Sequence, residues 1–239
     1  MKAYRCILST HDFFFYVSKE LKVGVPSDII SNTALLYAFN THISEVQRVV
    51  AGNVPHYRED MEKFPIYSTP AHLFNKDVVI SGGDIREWNG VSRDQKRLTY
   101  NAVHTVTHTT ESKKTVPSMG HYLKYLPLTP FECFIIGGRS SSVIRLGKKL
   151  SPVRVDYQPL EDLEIIRNKV FKPSHPVNSK DLPESTETLE CSIEVIPPVP
   201  IYRYARLKGD YLKGKVQGRV YRIALPNLDV YKTLSVDLS

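Results

Sequence analysis

The segment Phe131, Glu132, Cys133, Phe134, Ile135, Ile136 is an almost unbroken apolar run closed by Gly137 and Gly138. A run this short with a double-glycine stop reads as a buried strand that emerges through a turn onto the molecular surface. The stretch that follows, from Gly137 to Arg154, collects Arg139, Arg145, Lys148, Lys149 and Arg154 without one carboxylate between them. A rigid strand end that delivers cations to the surface describes a polyanion-binding face; the plainer alternative is a solvated basic loop.

The whole-chain charge points the same way. Thirty-two Lys and Arg against 25 Asp and Glu leave a formal net charge of +7 and a pI near 9.2, a balance that favours nucleic acid or another acidic partner. At 239 residues the chain is one large domain or two small ones. Hydrophobic content of 41% and charged content of 24% exclude a disordered or fibrous protein. Cys6, Cys133 and Cys191 are odd in number, far apart and each set in an apolar run, which reads as buried thiols in a reducing cytosol. No apolar run approaches the roughly 20 residues that cross a bilayer, and the first residues enter a strand pattern, so a cytoplasmic protein without membrane contact is expected.

Local patterns predict a first strand over Ala3 to Ser9 with Tyr4, Cys6 and Leu8 on one face. Pro26 and Ser27 predict a helix start, with Ser27 as cap, Ile30, Ala34, Tyr37 and Ala38 on a shared face, and Asn40 at the end. Pro55 to Glu62 reads as a short second helix. Tyr100 to Thr110 and Met119 to Leu126 read as the arms of a long hairpin around a polar tip with Lys113 and Lys114. Neither face of that hairpin is apolar enough for a core, so it is expected to project. Further strands are expected at Phe131 to Gly137, Val143 to Leu146, Val153 to Tyr157, Cys191 to Ile196, Ile201 to Leu207 and Val216 to Leu225.

Lys172 to Glu190, with Pro173, Pro176 and Pro183, reads as a surface loop or partly disordered insertion. Acids gather around it, from Asp156 through Glu161, Asp162 and Glu164 to Asp181, Glu184, Glu187, Glu190 and Glu194. The expectation is a polarised molecule, with Arg139 to Arg154 and Arg203 to Arg222 on the phosphate-attracting side. The closing hairpin, Ile201 to Leu225, carries Arg203, Arg206, Lys208, Lys213, Lys215, Arg219 and Arg222 against the single acid Asp210, interleaved with Tyr202, Tyr204, Tyr211 and Tyr221. That mixture suits single-stranded RNA, because unstacked bases gain about 1–3 kcal/mol each on an aromatic platform. The alternative is a tyrosine-rich edge hairpin whose lysines block aggregation.

Catalytic patterns are sparse. His104 and His108 on a strand would stand ~14 Å apart, too far for one zinc, and no paired cysteines accompany them, so no metal is expected. His11 with Asp12 reads as a turn pair. His121, Tyr122 and Lys124 offer the base, acid and cation of metal-free RNA cleavage, although on a strand His121 points away from its neighbour. There is no Walker lysine, dinucleotide fingerprint or nucleophile elbow, hence no cofactor is expected.

Two stretches resemble the Csc-one family, the Cas-five type subunits of subtype I-D CRISPR surveillance complexes. The first runs from the Tyr4, Arg5, Cys6 strand through His11, Asp12 and Phe13 to Phe15 into the helix with Asn32, Ala34, Leu35, Tyr37 and Ala38. The second is Ile144, Arg145, Leu146, Gly147, Lys148, Lys149, Leu150, Ser151, followed by Val153 and Arg154. The resemblance implies an α+β class: a ferredoxin-like, RRM-like repeat-associated domain over 1–160 with a protruding thumb hairpin at about 95–127. It implies a polar insertion and a β-rich part over 161–239 packed on the same core.

Functionally, the resemblance implies a noncatalytic subunit that grips the 5′ handle of the CRISPR RNA. Such a subunit caps the row of backbone Cas-seven type subunits and meets the large subunit, with target DNA beside its recognition motif as a further contact. On that view Arg139, Arg145, Lys148, Lys149 and Arg154 hold handle phosphates, with Arg203 and Arg206 alongside. Lys113 and Lys114 insert at the first guide segment, and Tyr202 or Tyr204 stacks a base. A separate endoribonuclease is expected to process the RNA; a metal-independent repeat endoribonuclease is the alternative, and a generic RNA-recognition module outside CRISPR a third reading.

Overall fold

The computed structural model describes residues 1–16, 23–24, 27–43, 56–74, 78–79, 85–86, 98–103, 117–122, 125, 127–147, 150–196 and 199–234, of which 23–24, 78–79, 85–86, 98–103 and 117–122 are described as backbone. The chain is mostly β. Its first elements are β1 (Ala3–Thr10), β2 (Val23–Gly24), β3 (Ile29–Ile30), α1 (Asn32–Phe39), α2 (Tyr57–Met61), β4 (Tyr67–Ser68) and β5 (Ala71–Leu73). The middle holds β6 (Val78–Val79), β7 (Ile85–Arg86), β8 (Leu98–Val103), β9 (Pro117–Tyr122), β10 (Pro130–Ile136), β11 (Val143–Leu146) and β12 (Ser151–Pro159). The last part holds β13 (Glu161–Phe171), β14 (Val177–Asn178), a 3-10 turn (Ser179–Asp181), β15 (Glu187–Ile196), β16 (Val199–Val216) and β17 (Arg219–Ala224).

The first sheet has the order β11-β12-β1-β10-β5-β3, with β4 also paired to β10, and every pairing in it is antiparallel. Its two central strands are covered on both faces, which explains why β10 is apolar at every position but Glu132. On one face Tyr4, Cys6 and Leu8 of β1 and Phe131, Cys133 and Ile135 of β10 pack with Leu35, Ala38 and Phe39 of α1. Cys6 and Cys133 are cross-strand partners and, like the half-buried Cys191, free thiols. On the other face Ala3, Phe134 and Ile136 pack against Leu212, Val216 and Ile223 of the second sheet.

Glu132 interrupts the run because it answers Arg5. The Arg5 Nε donates to Glu132 Oε1 at 2.5 Å and Nη1 donates to Gln158 Oε1 at 2.8 Å, while the guanidinium lies 5.0 and 5.4 Å from the ring centres of Phe74 and Tyr221. Both side chains are nearly fully buried. The strand stops at Gly137, whose φ of +115° and whose approach to the Pro65 carbonyl exclude a side chain: a Cβ there would lie 2.3 Å from that oxygen.

The second sheet is organised by the 18-residue β16. β14 and β13 pair along one of its edges, β15 and β17 along the other, all antiparallel, with bulges against β13 and β15. β8 and β9 pair with Asn101 opposite Met119, and β2 adds to β9 in parallel. These are the inner arms of the expected hairpin. Its tip, with Lys113 and Lys114, and its projection lie outside the described residues.

Two local expectations are corrected. The first helix begins at Asn32, not after Ser27: Ser31 is its cap, accepting from the Thr33 N–H, and Ser27 instead accepts from the Ile29 N–H. Ile29 and Ile30 are extended because they pair with His72 and Ala71 of β5, a tertiary demand that outweighs local helix signals. Lys172 to Glu190 is neither a loose loop nor a disordered insertion. Val177 pairs with Tyr202, and His175, Val177, Asn178 and Asp181 are buried, so its prolines bound short structured pieces. The 11-residue β13, which local pattern does not announce, pairs along β16 with most of its outer side chains charged.

Candidate nucleic-acid interface

β11 and β12 form a hairpin at the edge of the first sheet, with Val143 opposite Arg154 and Arg145 opposite Pro152. Their alternation is regular: Ile144, Leu146, Val153 and Val155 enter the core shared with α1. The opposite face therefore presents Val143, Arg145, Arg154 and Asp156 to solvent. Between the strands Gly147 takes φ +76°, and a Cβ there would lie 2.7 Å from the Phe15 carbonyl oxygen. The backbone is thus pressed onto the segment after β1, which fixes the direction in which the loop leaves the sheet. The Arg145 Nη1 donates to the Leu150 carbonyl at 3.1 Å and spans that loop.

Arg145 and Arg154 share this outer face. Among the described residues neither forms an ion pair. The nearest acid along β12, Asp156, accepts from the Gln158 amide at 3.0 Å. Arg139 is placed elsewhere: its guanidinium lies 4.9 Å from the Tyr4 ring centre and 6.0 Å from that of Tyr157. Those two rings meet edge to face on the α1 side of the sheet, so Arg139 and the Arg145–Arg154 pair lie on opposite faces. Lys148 and Lys149 lie outside the described residues.

The second sheet corrects one part of the expected charge polarity. The cations of β16 stand beside acids of neighbouring strands: Lys215 with Asp162 at 2.9 Å, Lys213 with Glu164 at 3.1 Å, Lys208 with Glu187 at 3.5 Å and Arg206 with Glu190 at 3.8 Å. Arg203 is held more tightly, its Nε donating to Glu194 Oε2 at 2.5 Å and its Nη groups to the Asp28 carboxylate. The acid-rich segments are β13 and β15 themselves, set on either edge of β16, so the β16 part of the expected positive row is paired, while the exposed Arg219 and Arg222 of β17 form no ion pair among the described residues. Arg203 and Arg206 are thereby separated from the β11–β12 face in partner as well as in sheet.

The two candidate stacking rings differ in the same way. Tyr202 is half-buried against Phe171, Val177 and their neighbours. Tyr204 is 87% exposed with φ +51°, at the place where β16 bulges against β15. A non-glycine residue in the left-handed region at a bulge is held there by its surroundings and points its ring outward. His121 and Tyr122 belong to β9, whose side chains are outside the described set, as are His104, His108 and Lys124.

Sequence reasoning misses a polar hub that joins the sheets. Asp181 is fully buried; Tyr231 donates to its Oδ1 at 2.9 Å, while Tyr67 at 3.3 Å and the Asn32 amide donate to Oδ2. Burial raises its pKa to about 7, overcoming the opposing effect of those three donors. His175 is enclosed as a neutral imidazole: Nδ1 donates to the Pro176 carbonyl at 2.7 Å and Nε2 accepts from the Ala224 N–H at 3.2 Å. Burial holds its pKa down to about 4. The signal for both is the proline-rich stretch itself, in which an Asn, an Asp and a His alternate with apolar residues.

Among the described residues no helix is long and apolar enough to cross a membrane. No curated protein matches the chain. A solved structure described as a CRISPR protein from Archaeoglobus fulgidus aligns over 94% of this chain and all of its own, with 10% identity and a TM-score of 0.42. The family model described as type I-D CRISPR-associated protein Cas5/Csc1 matches residues 1–230. With that match spanning both sheets, the β11–β12 hairpin and the long β16, the chain belongs to the type I-D CRISPR-associated Cas5/Csc1 family.

Proposed function

We propose that this chain is a noncatalytic, cytoplasmic subunit of a type I-D CRISPR surveillance complex that holds the 5′ handle of the CRISPR RNA on the outer face of β11–β12. In this reading it caps the row of backbone Cas-seven type subunits and contacts the large subunit near target DNA. The observation that carries the reading, beyond family membership, is the contrast in pairing. The cations of β16 stand beside carboxylates, whereas Arg145 and Arg154 share an exposed face without an ion pair among the described residues. Phosphates bind where positive charge is unspent, and Lys148 and Lys149 adjoin that face in sequence. Tyr204, outward at its bulge, suits a base-stacking role.

The fold supports the same reading. β1, α1 and β5 form a split β-α-β unit with β10 between the two strands, and β12 lies on the far side of β1. That order, with the first strand between the third and the last, supports reading 1–160 as an RRM-like domain in which the β11 hairpin strand takes the place of the second helix. β8 and β9 suit the base of a thumb, and β13 to β17 suit the added β-rich part over 161–239.

The test is RNA binding across a salt series, on the purified chain and on the assembled particle. Arg145→Ala with Arg154→Ala is expected to weaken handle binding and to flatten the log–log salt slope by about 0.7 for each phosphate that the variant no longer neutralises. An unchanged slope overturns the assignment of this face. Incubation with repeat RNA and a chelator tests the noncatalytic part: a discrete product that disappears in His121→Ala would replace it with the endoribonuclease reading.

A further inference from the structure

Beside the Asp181 hub lies a cavity of about 430 Å³, within the range of about 300–1,000 Å³ typical of small-ligand sites. It is lined by the buried Asp181 and Asn178, by the apolar Met61, Val199 and Val230, and by Arg58 and Lys180. These two cations are exposed, and among the described residues neither has an ion-pair partner.

The neighbouring acids make this notable. Three carboxylates lie within four residues of Arg58, and all are engaged by others: Glu59 with His56 at 3.2 Å, Asp60 as acceptor from the Tyr37 hydroxyl at 2.6 Å, and Glu62 with Lys232 at 3.0 Å. Lys180 adjoins Asp181, whose carboxyl turns inward to Tyr67, Tyr231 and Asn32. In a molecule that neutralises the cations of β16 one by one, these two are left facing a cavity. Tyr57, 40% exposed, lines it too and meets Tyr37 edge to face. Thr33 adds a hydroxyl to the lining.

We propose that this cavity binds a single phosphorylated nucleotide, its phosphate between Arg58 and Lys180 and its base against Tyr57 and the apolar wall. Two cations match the charge of a phosphate monoester, an aromatic rim matches a flat base, and the volume suits one nucleotide rather than a strand. The same chemistry comes from a free mononucleotide or from one unit of an RNA chain. Only the RNA source rests on the function proposed above.

The experiment titrates the full chain by calorimetry with AMP, GMP, CMP and UMP, with adenosine as the phosphate-free control, and repeats the titration with handle RNA present. Saturable binding of at least one mononucleotide is expected, weakened about tenfold or more by Arg58→Gln with Lys180→Gln and by removal of the phosphate, and unchanged in Lys213→Ala, whose side chain pairs with Glu164 away from the cavity. Melting temperatures of the exposed-site variants report whether folding is intact, and Tyr57→Ala provides a second, charge-neutral route to the same weakening. Competition between RNA and mononucleotide identifies the RNA unit as occupant; independent binding identifies the free nucleotide. The proposal is overturned if no mononucleotide binds saturably, or if the double Gln variant binds as tightly as the parent chain. Failure of the parent chain and its particle to bind RNA would instead overturn the proposed function, leaving the mononucleotide titration to be read by itself.

Discussion

Asp181 and His175 are both enclosed in the second half of the molecule, and they titrate in opposite senses. The unfolded chain releases the Asp181 proton near pH 3.8, the folded one near 7, so its contribution to stability is full at low pH and is lost as pH rises through that window. His175 takes a proton at about 6.5 when unfolded and at about 4 when folded, so its contribution is full above 6.5 and is lost as pH falls toward 4. Between pH 4 and 6.5 the two trends oppose. Melting curves of the parent chain and Asp181→Asn should therefore differ by an amount that changes steadily from pH 4 to 7 in the parent's disfavour and then levels off; a constant offset would contradict the assignment. Arg5 offers a second residue-scale check. Arg5→Ala is expected to cost about 3–5 kcal/mol in chemical unfolding by leaving the buried Glu132 carboxylate with only His72, its Nε2 3.4 Å away, as a partner, with much of that stability recovered in Arg5→Met with Glu132→Leu. No recovery would mean that the pair itself, and not the stranded charge, sets the cost.

Among the elements, β11 is legible to the residue because its alternation is local: Ile144 and Leu146 inward, Val143 and Arg145 outward. β13 is not, since the outer side chains of a strand paired along one side of β16 are charged and blur its period. The start of α1 departs from its local signal for a different reason, the pull of β5 on Ile29 and Ile30. This scale also decides which cations matter for RNA. Lys213→Ala should leave handle affinity and salt slope unchanged, and stability within about 0.5 kcal/mol, because Lys213 is an exposed partner of Glu164. A drop in RNA binding equal to that of the Arg145 and Arg154 pair would show that the ion pairs of β16 open for RNA.

The whole molecule is held by the contact between its two sheets, where Phe134 and Ile136 meet Leu212 and Ile223. Phe134→Ala is expected to cost about 3–5 kcal/mol of global stability, measured by denaturant unfolding, and to lower cooperativity between the halves. Destabilisation confined to one half would show that the sheets fold independently. Most strands, the burial of Cys6 and Cys133 though not of the half-buried Cys191, and the basic stretch after Gly137 were determined by sequence alone, because side-chain period, glycine punctuation and apolar runs are local properties. Which cations are unpaired was decided only by the tertiary structure: Lys213 and Glu164 are 49 residues apart and Lys215 and Asp162 53 apart, joined by a strand register that no local pattern encodes. The same holds for the placement of Arg139 across the sheet from Arg145 and Arg154, since a turn through Gly137 leaves either face open until Tyr4 and Tyr157 receive the guanidinium.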